Sequence, residues 1–165
     1  MFPDIFRDDV FRLETRRLWL RWPQAGDAAA IRALQPYGLE EAASFIEASR
    51  AGNACGAHLR MVLTLKTGAR DLIGMIGIEE KGQPQLCYWL DPAFRGQGFA
   101  AEAAAAMTDA FFHVTPAEEL RAFGEGAAIG VLQKAGFVLR TDGQSPKGLF
   151  ALNRATWRAR EARVA

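Results

Sequence analysis

The sequence predicts an α/β fold built on a mixed, mostly antiparallel twisted sheet. Segments with the two-residue hydrophobic period of strands and the 3.6-residue period of helices follow one another in the order β-α-α-β-β-β-α-β-α-β-β. This order gives about six or seven strands and about four flanking helices. No repeat or low-complexity linker interrupts the chain, so a single domain is expected over residues 1–165.

The amino-terminal part of the chain predicts one strand and two helices. The strand is expected over residues 16–22, where every second side chain is large and apolar. Helices are expected over residues 28–34 and 39–50, and Gly38 and Gly52 bracket the second of them. The apolar stripe of this second helix is predicted to contain Leu39, Ala42, Ala43 and Ile46.

Three strands are predicted in the middle of the chain. Residues 58–66 and 71–80 have strand composition, and the short connection "TGAR" between them contains the glycine that a hairpin turn needs. We therefore expect an antiparallel pair. A third strand over residues 85–91 ends before Pro92, because proline cannot donate a hydrogen bond to a sheet ladder.

A long helix follows and leads to a smaller β-α-β-β unit. The helix is predicted over residues 97–114, then a strand over 120–123, a helix over 127–135, and strands over 137–140 and 148–153. The apolar residues of the long helix recur at helical spacing at Phe99, Ala103, Met107, Ala110, Phe111 and Val114.

Composition excludes several classes of protein. Half of the residues are hydrophobic, 24% are charged and the net charge is +1, which is typical of a globular protein without a nucleic-acid partner. No segment reaches the ~18 apolar residues of a membrane span, and a cytoplasmic location is expected. Cys55 and Cys87 lack metal-ligand spacing and are expected to be reduced thiols, and no metal is expected. A carboxy-terminal basic face, expected to be solvated surface, contains Arg154, Arg158, Arg160 and Arg163.

The stretch "DPAFRGQGFAAEA", residues 91–103, places a turn with two glycines between a strand and a helix. The first N–H groups of a helix have no intrahelical partner and attract anions. Gly96 and Gly98 allow the backbone to approach phosphate oxygens, and Arg95 adds a positive charge. The stretch therefore predicts a phosphate site, with a turn that merely needs positive φ as the alternative.

A dinucleotide-binding fingerprint is a second interpretation of the same glycines. Gly96-x-Gly98-x-x-Ala101 fits its spacing, and Glu118 or Glu119 lies where a ribose-binding acid is expected. The surrounding pattern disfavours this interpretation. Residues 91–95 lie between the apolar part of the preceding strand and the glycines, and three antiparallel strands replace the βαβ unit.

The pattern Arg95-x-x-Gly98-x-Ala100, which follows a strand and opens a helix, resembles the pyrophosphate-binding signature of the GNAT superfamily of acyl-CoA-dependent N-acetyltransferases. Five segments occur in the order and spacing of its RimJ/RimL-like branch, and the resemblance covers about residues 13–157. These segments are "LETRRLWLR", "DLIGMIGIE", "CYWLDPAFRGQGFAAEA", "VLQKAGFVLR" and "LFALNRATW".

The resemblance implies a cleft where the strand at residues 86–90 diverges from the next strand, with acetyl-CoA as the cosubstrate. It implies acetyl transfer to a primary amine, either a protein N-terminus or a small amine, by direct attack in a ternary complex. A homodimer is also common for the fold. The implied cofactor contacts are Tyr88, Trp89, Leu90, Arg95, Gly96, Gln97, Gly98, Phe99, Ala100 and Lys134.

Acetyl transfer needs a base for the amine and a proton for the departing thiolate. Glu79, with Glu80 beside it, is the nearest acid in sequence order, and Tyr88 is a candidate proton donor. Relatives often carry glutamate where this chain has Gln85, which cannot act as a base. His58 and His113 lie at no telling spacing from another acid or ligand and are assigned no chemistry.

The segment "GEGAAIG" departs from the family pattern. Glu125 and Ala128 stand where many relatives carry asparagine and serine, and Gly130 replaces a position that is often basic. Three consequences remain open. The first is weaker binding of the cofactor, and the second is that Glu125 supplies the base. The third is that the domain is a non-catalytic acyl-CoA-binding or interaction module.

Overall fold

A computed structural model describes residues 11–34, 38–67, 72–80, 82–140 and 148–162. These residues form one eight-stranded, mostly antiparallel sheet with five α-helices. The predicted mixed α/β fold is confirmed, with one strand and one helix more than the highest expected number. The additional strand is only three residues long, too short to show a hydrophobic period, and the additional helix carries the carboxy-terminal arginines.

The strands are β1 (Arg12–Glu14), β2 (Leu18–Arg21), β3 (His58–Leu65), β4 (Leu72–Glu80), β5 (Pro84–Leu90), β6 (Glu119–Gly124), β7 (Val138–Arg140) and β8 (Gly148–Asn153). The helices are α1 (Ala28–Leu34), α2 (Leu39–Ala54), α3 (Phe99–Val114), α4 (Ala127–Ala135) and α5 (Arg154–Glu161). The sheet order is β1-β2-β3-β4-β5-β6-β8-β7, and the described pairs are antiparallel except for β5 with β6.

Helices cover both faces of the sheet. Ile76 and Ile78 of β4 are buried with the apolar side of α3 in the larger core, whereas Met75 packs against the smaller cluster formed by α1 and α2. Because successive side chains of a strand point to opposite faces, α3 lies on one face of β4 and α2 on the other. Alanines at positions 103 and 104 are fully buried and allow α3 to lie close to the sheet.

The second helix differs from its predicted bounds. Gly52 lies inside α2 and does not end it. The imidazole of His58 packs against this glycine, 1.9 Å from where a Cβ would be, so the position has no room for a side chain. Ala42 and Ile46 are buried as predicted, but Ala43 is exposed, so the buried stripe is narrower than expected. The side chain of Leu39 and the hairpin turn at residues 68–71 lie outside the described residues.

The carboxy-terminal arginines are not a uniformly solvated face, and this expectation is wrong for Arg154. Its side chain is only 9% exposed, and its guanidinium donates hydrogen bonds to the carbonyl oxygens of Phe112, Thr115 and Ala117. Arg160 is exposed but donates to the carbonyl of Ala135 at 2.7 Å. Arg154 and Arg160 therefore attach α5 to the ends of α3 and α4, whose last carbonyls have no helical partners. Arg163 lies outside the described residues.

No helix in the described part of the chain has the length and apolar character needed to cross a membrane.

We predict that Arg154→Ala lowers the free energy of unfolding by about 3 kcal/mol, because it leaves buried carbonyl groups without donors. Urea denaturation followed by circular dichroism measures this change. Arg158→Ala, on the exposed side of the same helix, is the matched control and is expected to cost under about 0.5 kcal/mol. Equal effects of the two substitutions would contradict the buried role of Arg154.

Candidate active site

The sheet divides between β5 and β6. These parallel strands pair only at Gln85 and Leu86 of β5. Strand β5 then continues along β4 to Leu90, whereas β6 continues along β8 to Gly124. Among the described strands, none pairs with the β6-facing edge of β5 at residues 88–90. Apart from the Leu90 carbonyl, which accepts a hydrogen bond from Arg95, the backbone groups of this edge are therefore available to a ligand that binds in an extended form.

A cavity of about 440 Å³ lies in the opening. Its walls come from the end of β5, the start of α3, and α4 with the turn before it. The lining residues are Tyr88, Trp89, Leu90, Arg95, Gly96, Gly98, Ala100, Ala101, Glu125, Ala127, Ala128, Gly130, Val131 and Lys134. Eight of the ten residues predicted to contact the cofactor and two of the three catalytic candidates are thus brought together.

The loop before α3 turns through two glycines in the left-handed region. Gly96 has φ 74° and Gly98 has φ 83°, where other residues are strained. The turn itself therefore requires glycine at both positions. A Cβ at Gly96 would meet no atom within 4 Å, which leaves room for a ligand on that side.

The start of α3 presents backbone donors. The first intrahelical hydrogen bond runs from the N–H of Glu102 to the carbonyl of Gly98 at 3.1 Å. The N–H groups of residues 99–101 therefore precede this bond, and the helix dipole adds partial positive charge at the same end. Two of these residues, Ala100 and Ala101, line the cavity, so the helix begins at its wall.

Two cations and one acid belong to the lining. Arg95 is exposed and its Nε donates to the carbonyl of Leu90 at 3.1 Å, which holds the side chain beside the end of β5. Lys134 comes from the last turn of α4 on another wall. Glu125 stands in the turn before α4, next to Gly126 with φ 53°. The balance of charge favours an anionic ligand.

Gln97 and Phe99 do not line the cavity. The side-chain amide of Gln97 donates to the carbonyl of Ala93 at 3.1 Å, and Phe99 is buried with its ring 4.2 Å from the guanidinium carbon of Arg17. These two side chains shape the loop from outside the cleft. Their backbone N–H groups, and not their side chains, are therefore the groups that can contact a ligand in the cavity.

Tyr88 carries the least satisfied polar group of the site. Its hydroxyl oxygen is buried and has no hydrogen-bond partner among the described residues. Burial raises the pKa of the Tyr88 hydroxyl above 10.0, its ordinary value, so the group is protonated at neutral pH. An unmatched buried donor is costly unless a ligand supplies its acceptor.

Glu79 lies in a second, smaller cavity of about 200 Å³. It shares a face of the sheet with Met75, and its carboxylate accepts hydrogen bonds from the guanidinium of Arg60 at 2.9 and 3.1 Å. Tyr88 and Trp89 line both cavities, so β5 forms a common wall between them. Glu80 is exposed at the strand end and lines neither cavity.

The histidines have structural contacts. Burial first, and the nearby Arg60 second, lower the pKa of His58, whose ring packs against α2. The Nδ1 atom of His113 lies 2.7 Å from the carbonyl oxygen of Asp109, and its ring meets Trp157 edge-on. Within the described ranges no three His, Cys, Asp or Glu side chains gather as metal ligands, and the two cysteines form no disulfide.

The acids of the dinucleotide interpretation do not reach the glycine loop. Glu119 begins β6, and its carboxylate pairs with Arg121 and Arg140, both at 2.7 Å. These hydrogen bonds lower the pKa of Glu119, led by the contact with Arg121. Glu118 is exposed, and neither acid lines the larger cavity.

Sequence reasoning missed several small residues of the cleft. Ala101, Ala127 and Val131 line the cavity but carry no polar group that would single them out. The only sequence signal was the excess of alanine and glycine at the starts of the two helices, "GFAAEA" and "GEGAAIG". Small side chains there keep the space between the helix ends open.

Residues 14–138 match the family model of the Acetyltransferase (GNAT) domain. This is most of the chain, and the protein belongs to the GNAT acetyltransferase family. The match confirms the predicted enzyme class at the level of the family and leaves no support for a dinucleotide-binding domain. No protein with curated annotation matches the chain.

Solved structures share the fold at low sequence identity. RimJ from Mycobacterium smegmatis, in complex with CoA-disulfide, is 19% identical with a TM-score of 0.73, covering 99% of this chain and 98% of that one. RimL, a ribosomal L7/L12 alpha-N-protein acetyltransferase in complex with coenzyme A, is 14% identical with a TM-score of 0.74, covering 87% and 98%. The microcin C7 self-immunity acetyltransferase MccE, with acetyl-CoA and AMP, is 14% identical with a TM-score of 0.71, covering 84% and 93%.

A pH-dependent contribution to stability is expected from Glu102 in the first turn of α3. Partial burial alone would raise its pKa, but hydrogen bonds from Thr15 and Arg17 outweigh burial and lower the pKa below 4.5. A group whose pKa is lower in the folded state stabilises the fold above its unfolded pKa and loses that effect as the pH falls through the folded value.

We therefore predict that the difference in unfolding free energy between the native chain and Glu102→Gln shrinks as the pH falls below about 4.5. Denaturant titrations at a series of pH values measure the difference. Glu47→Gln, on the exposed side of α2, measures the effect of removing a surface carboxylate. A difference that grows toward low pH would contradict the assigned contacts.

Proposed function

We propose that this protein transfers an acetyl group from acetyl-CoA to a primary amine by direct attack in a ternary complex. The observation that carries the proposal is the opening between β5 and β6, with a glycine loop and a helix start on its wall. CoA or acetyl-CoA accompanies the related structures of RimJ, RimL and MccE. Family membership supports the reaction class.

The larger cavity suits the parts of acetyl-CoA. Backbone N–H groups of residues 97–100 and the cations of Arg95 and Lys134 are placed to bind the pyrophosphate and other phosphate groups. The pantetheine arm carries amide groups in an extended chain, and it pairs with the open edge of β5 at residues 88–90 as an added strand would. The thioester then lies where the two strands separate.

The reaction joins the amine nitrogen to the thioester carbonyl carbon and breaks the bond between that carbon and sulfur. An ordinary alkylamine is mostly protonated at neutral pH and must lose a proton before or during attack. The departing thiolate in turn gains one. We assign protonation of the thiolate to Tyr88, whose hydroxyl is protonated, buried and without an acceptor among the described residues.

For the base we propose Glu79, with Glu125 as the other candidate. Glu79 lines the cavity on the opposite side of β5, from which an amine can approach the thioester without displacing the cofactor. Its pairing with Arg60 fixes the position of the carboxylate. Glu125 lines the cofactor cavity itself, and its charge lies near the proposed path of the thiol.

A second candidate function is a non-catalytic acyl-CoA-binding module. Two observations favour it. Gln85, which cannot act as a base, is the residue of β5 paired with Glu79. Ala128 lines the cofactor cavity without a polar group. In this case the same cleft binds acetyl-CoA, but no acceptor is turned over.

The identity of the amine, a cytoplasmic location and a homodimer stay predictions, as does the single domain over residues 1–165.

The cavity beside Glu79 is lined mainly by apolar and aromatic side chains, including Phe45, Met75 and Trp89. We propose that it accepts the amine-bearing end of the acceptor. A protein N-terminus and a small amine both fit this description.

Calorimetry with acetyl-CoA, followed by a thiol-release assay over primary amines and N-terminal peptides, tests the function. We expect binding and release of CoA thiol with at least one acceptor. Binding without turnover across the panel would support the non-catalytic module. Absence of binding would contradict both candidates.

The position of the cofactor is tested at Ala101. Ala101→Glu places a negative charge on the cavity wall in the first turn of α3, and we expect acetyl-CoA to bind about tenfold more weakly or worse because of repulsion from its phosphates. Ala101→Gln has nearly the same size without the charge and is the matched control. Equal affinities of the two variants in calorimetry would show that the phosphates lie elsewhere.

We predict that Tyr88→Phe lowers kcat about 100-fold, the lower end of general acid–base contributions, with little change in the affinity for acetyl-CoA. Single-turnover and steady-state assays separate the two effects. The substitution removes only a hydroxyl that has no hydrogen-bond partner in the part of the chain that the structure describes, so the fold is expected to persist. An unchanged kcat would exclude Tyr88 as the proton donor.

A further inference from the structure

Arg17 contacts the glycine loop, which is the turn before α3 that contains Gly96 and Gly98. It lies about eighty positions earlier in the chain. Its Nη1 donates to the carbonyl of Gln97 at 3.0 Å, and its Nε donates to the carboxylate of Glu102 at 2.7 Å. The guanidinium carbon also lies 4.2 Å from the centre of the Phe99 ring. One side chain therefore contacts the loop at its middle, at the helix start and in the first turn of α3.

The turn that carries Arg17 is itself fixed. The hydroxyl of Thr15 donates to Glu102 at 2.6 Å and accepts from the N–H of Leu18 at 2.9 Å. The backbone N–H of Arg17 also donates to Glu102, at 2.8 Å. The carboxylate thus accepts three donors from the turn between β1 and β2, in addition to its place on α3.

These contacts lie outside the cleft. Arg17 and Glu102 do not line the larger cavity, whereas Gly96, Gly98 and Ala101 do. A Cβ at Gly98 would lie 3.4 Å from Nη2 of Arg17, so the guanidinium fits against the glycine. The arginine occupies one side of the loop and the proposed pyrophosphate the other.

From this arrangement we propose that Arg17 is a positioning residue that pre-organises the glycine loop for acetyl-CoA. This role rests on the proposed function. A loop that is already ordered loses less conformational freedom when its ligand binds. Charge-assisted hydrogen bonds between partly buried groups are stronger than those between neutral groups. The side chains of Arg17 and Glu102 are 32% and 17% exposed, so water screens them only in part.

Arg17 has a second effect through charge. Glu102 places a negative charge in the first turn of α3, close to the proposed phosphates, and the guanidinium of Arg17 neutralises it at 2.7 Å. Removing the arginine leaves that carboxylate to repel the cofactor. Removing both charges then restores part of the affinity, a coupling that a double-mutant cycle measures.

The test compares Arg17→Met, Arg17→Lys, Glu102→Gln and the double variant R17M/E102Q by calorimetry with acetyl-CoA. We expect Arg17→Met to raise Kd about tenfold or more, the double variant to raise it less, and Arg17→Lys to fall between the native chain and Arg17→Met. Arg16→Met, an exposed neighbour in the same turn, is the matched control and is expected to stay within about twofold.

Kinetics separate positioning from general damage to the fold. For Arg17→Met we expect a raised KM for acetyl-CoA with kcat at saturation within about twofold of the native value. Native affinity in Arg17→Met would overturn the role of Arg17, and equal losses in that variant and in R17M/E102Q would overturn its effect through charge. A native chain that binds acetyl-CoA without turnover would overturn the enzymatic function, while the calorimetric series would still decide the role of Arg17. No binding by the native chain would overturn both.

Discussion

Only two residue pairs join β5 to β6. Beyond Leu86, β5 continues beside β4 alone, whereas β6 continues beside β8. The rest of the site depends on this partial pairing. It leaves the edge of β5 at residues 88–90 available to an extended ligand, and it sets the end of β5, the start of α3 and the start of α4 around one cavity. A complete β5–β6 ladder would close the opening and leave the glycine loop beside a continuous sheet.

The chemistry is divided between the two sides of β5. The cavity at the strand opening contains backbone donors and two cations, which suit an anionic cofactor, whereas the cavity near α2 is mainly apolar and contains Glu79. Tyr88 and Trp89 belong to both. In the proposed reaction, this division gives the cofactor and the acceptor separate approaches that meet at one strand. Contacts from the turn between β1 and β2 hold the glycine loop without occupying the cleft.

Much of the fold could be predicted from local patterns. The bounds of α4 and β8 agree with the sequence prediction, because hydrophobic period and flanking glycines are local properties. The extent of α2 could not be predicted, since glycine is a frequent end signal for helices and the sequence does not show that His58 packs against Gly52. Arg154 was assigned to the surface because charge alone does not reveal that three carbonyl groups surround its guanidinium. For the candidate site, the sequence predicts the glycine loop and the end of β5, and the structure places both on the wall of one cavity. The contacts of Arg17 were not, because they join residues that are distant in the chain.

A crystal structure of the protein with acetyl-CoA tests the central claim most directly. The account predicts pyrophosphate oxygens within about 3.2 Å of backbone nitrogens in residues 97–100, and pantetheine amides paired with the edge of β5 at residues 88–90. It also predicts the thioester nearer to Tyr88 than to Glu80. A cofactor bound on the α2 side of the sheet, or phosphates that make no contact with the glycine loop, would contradict it.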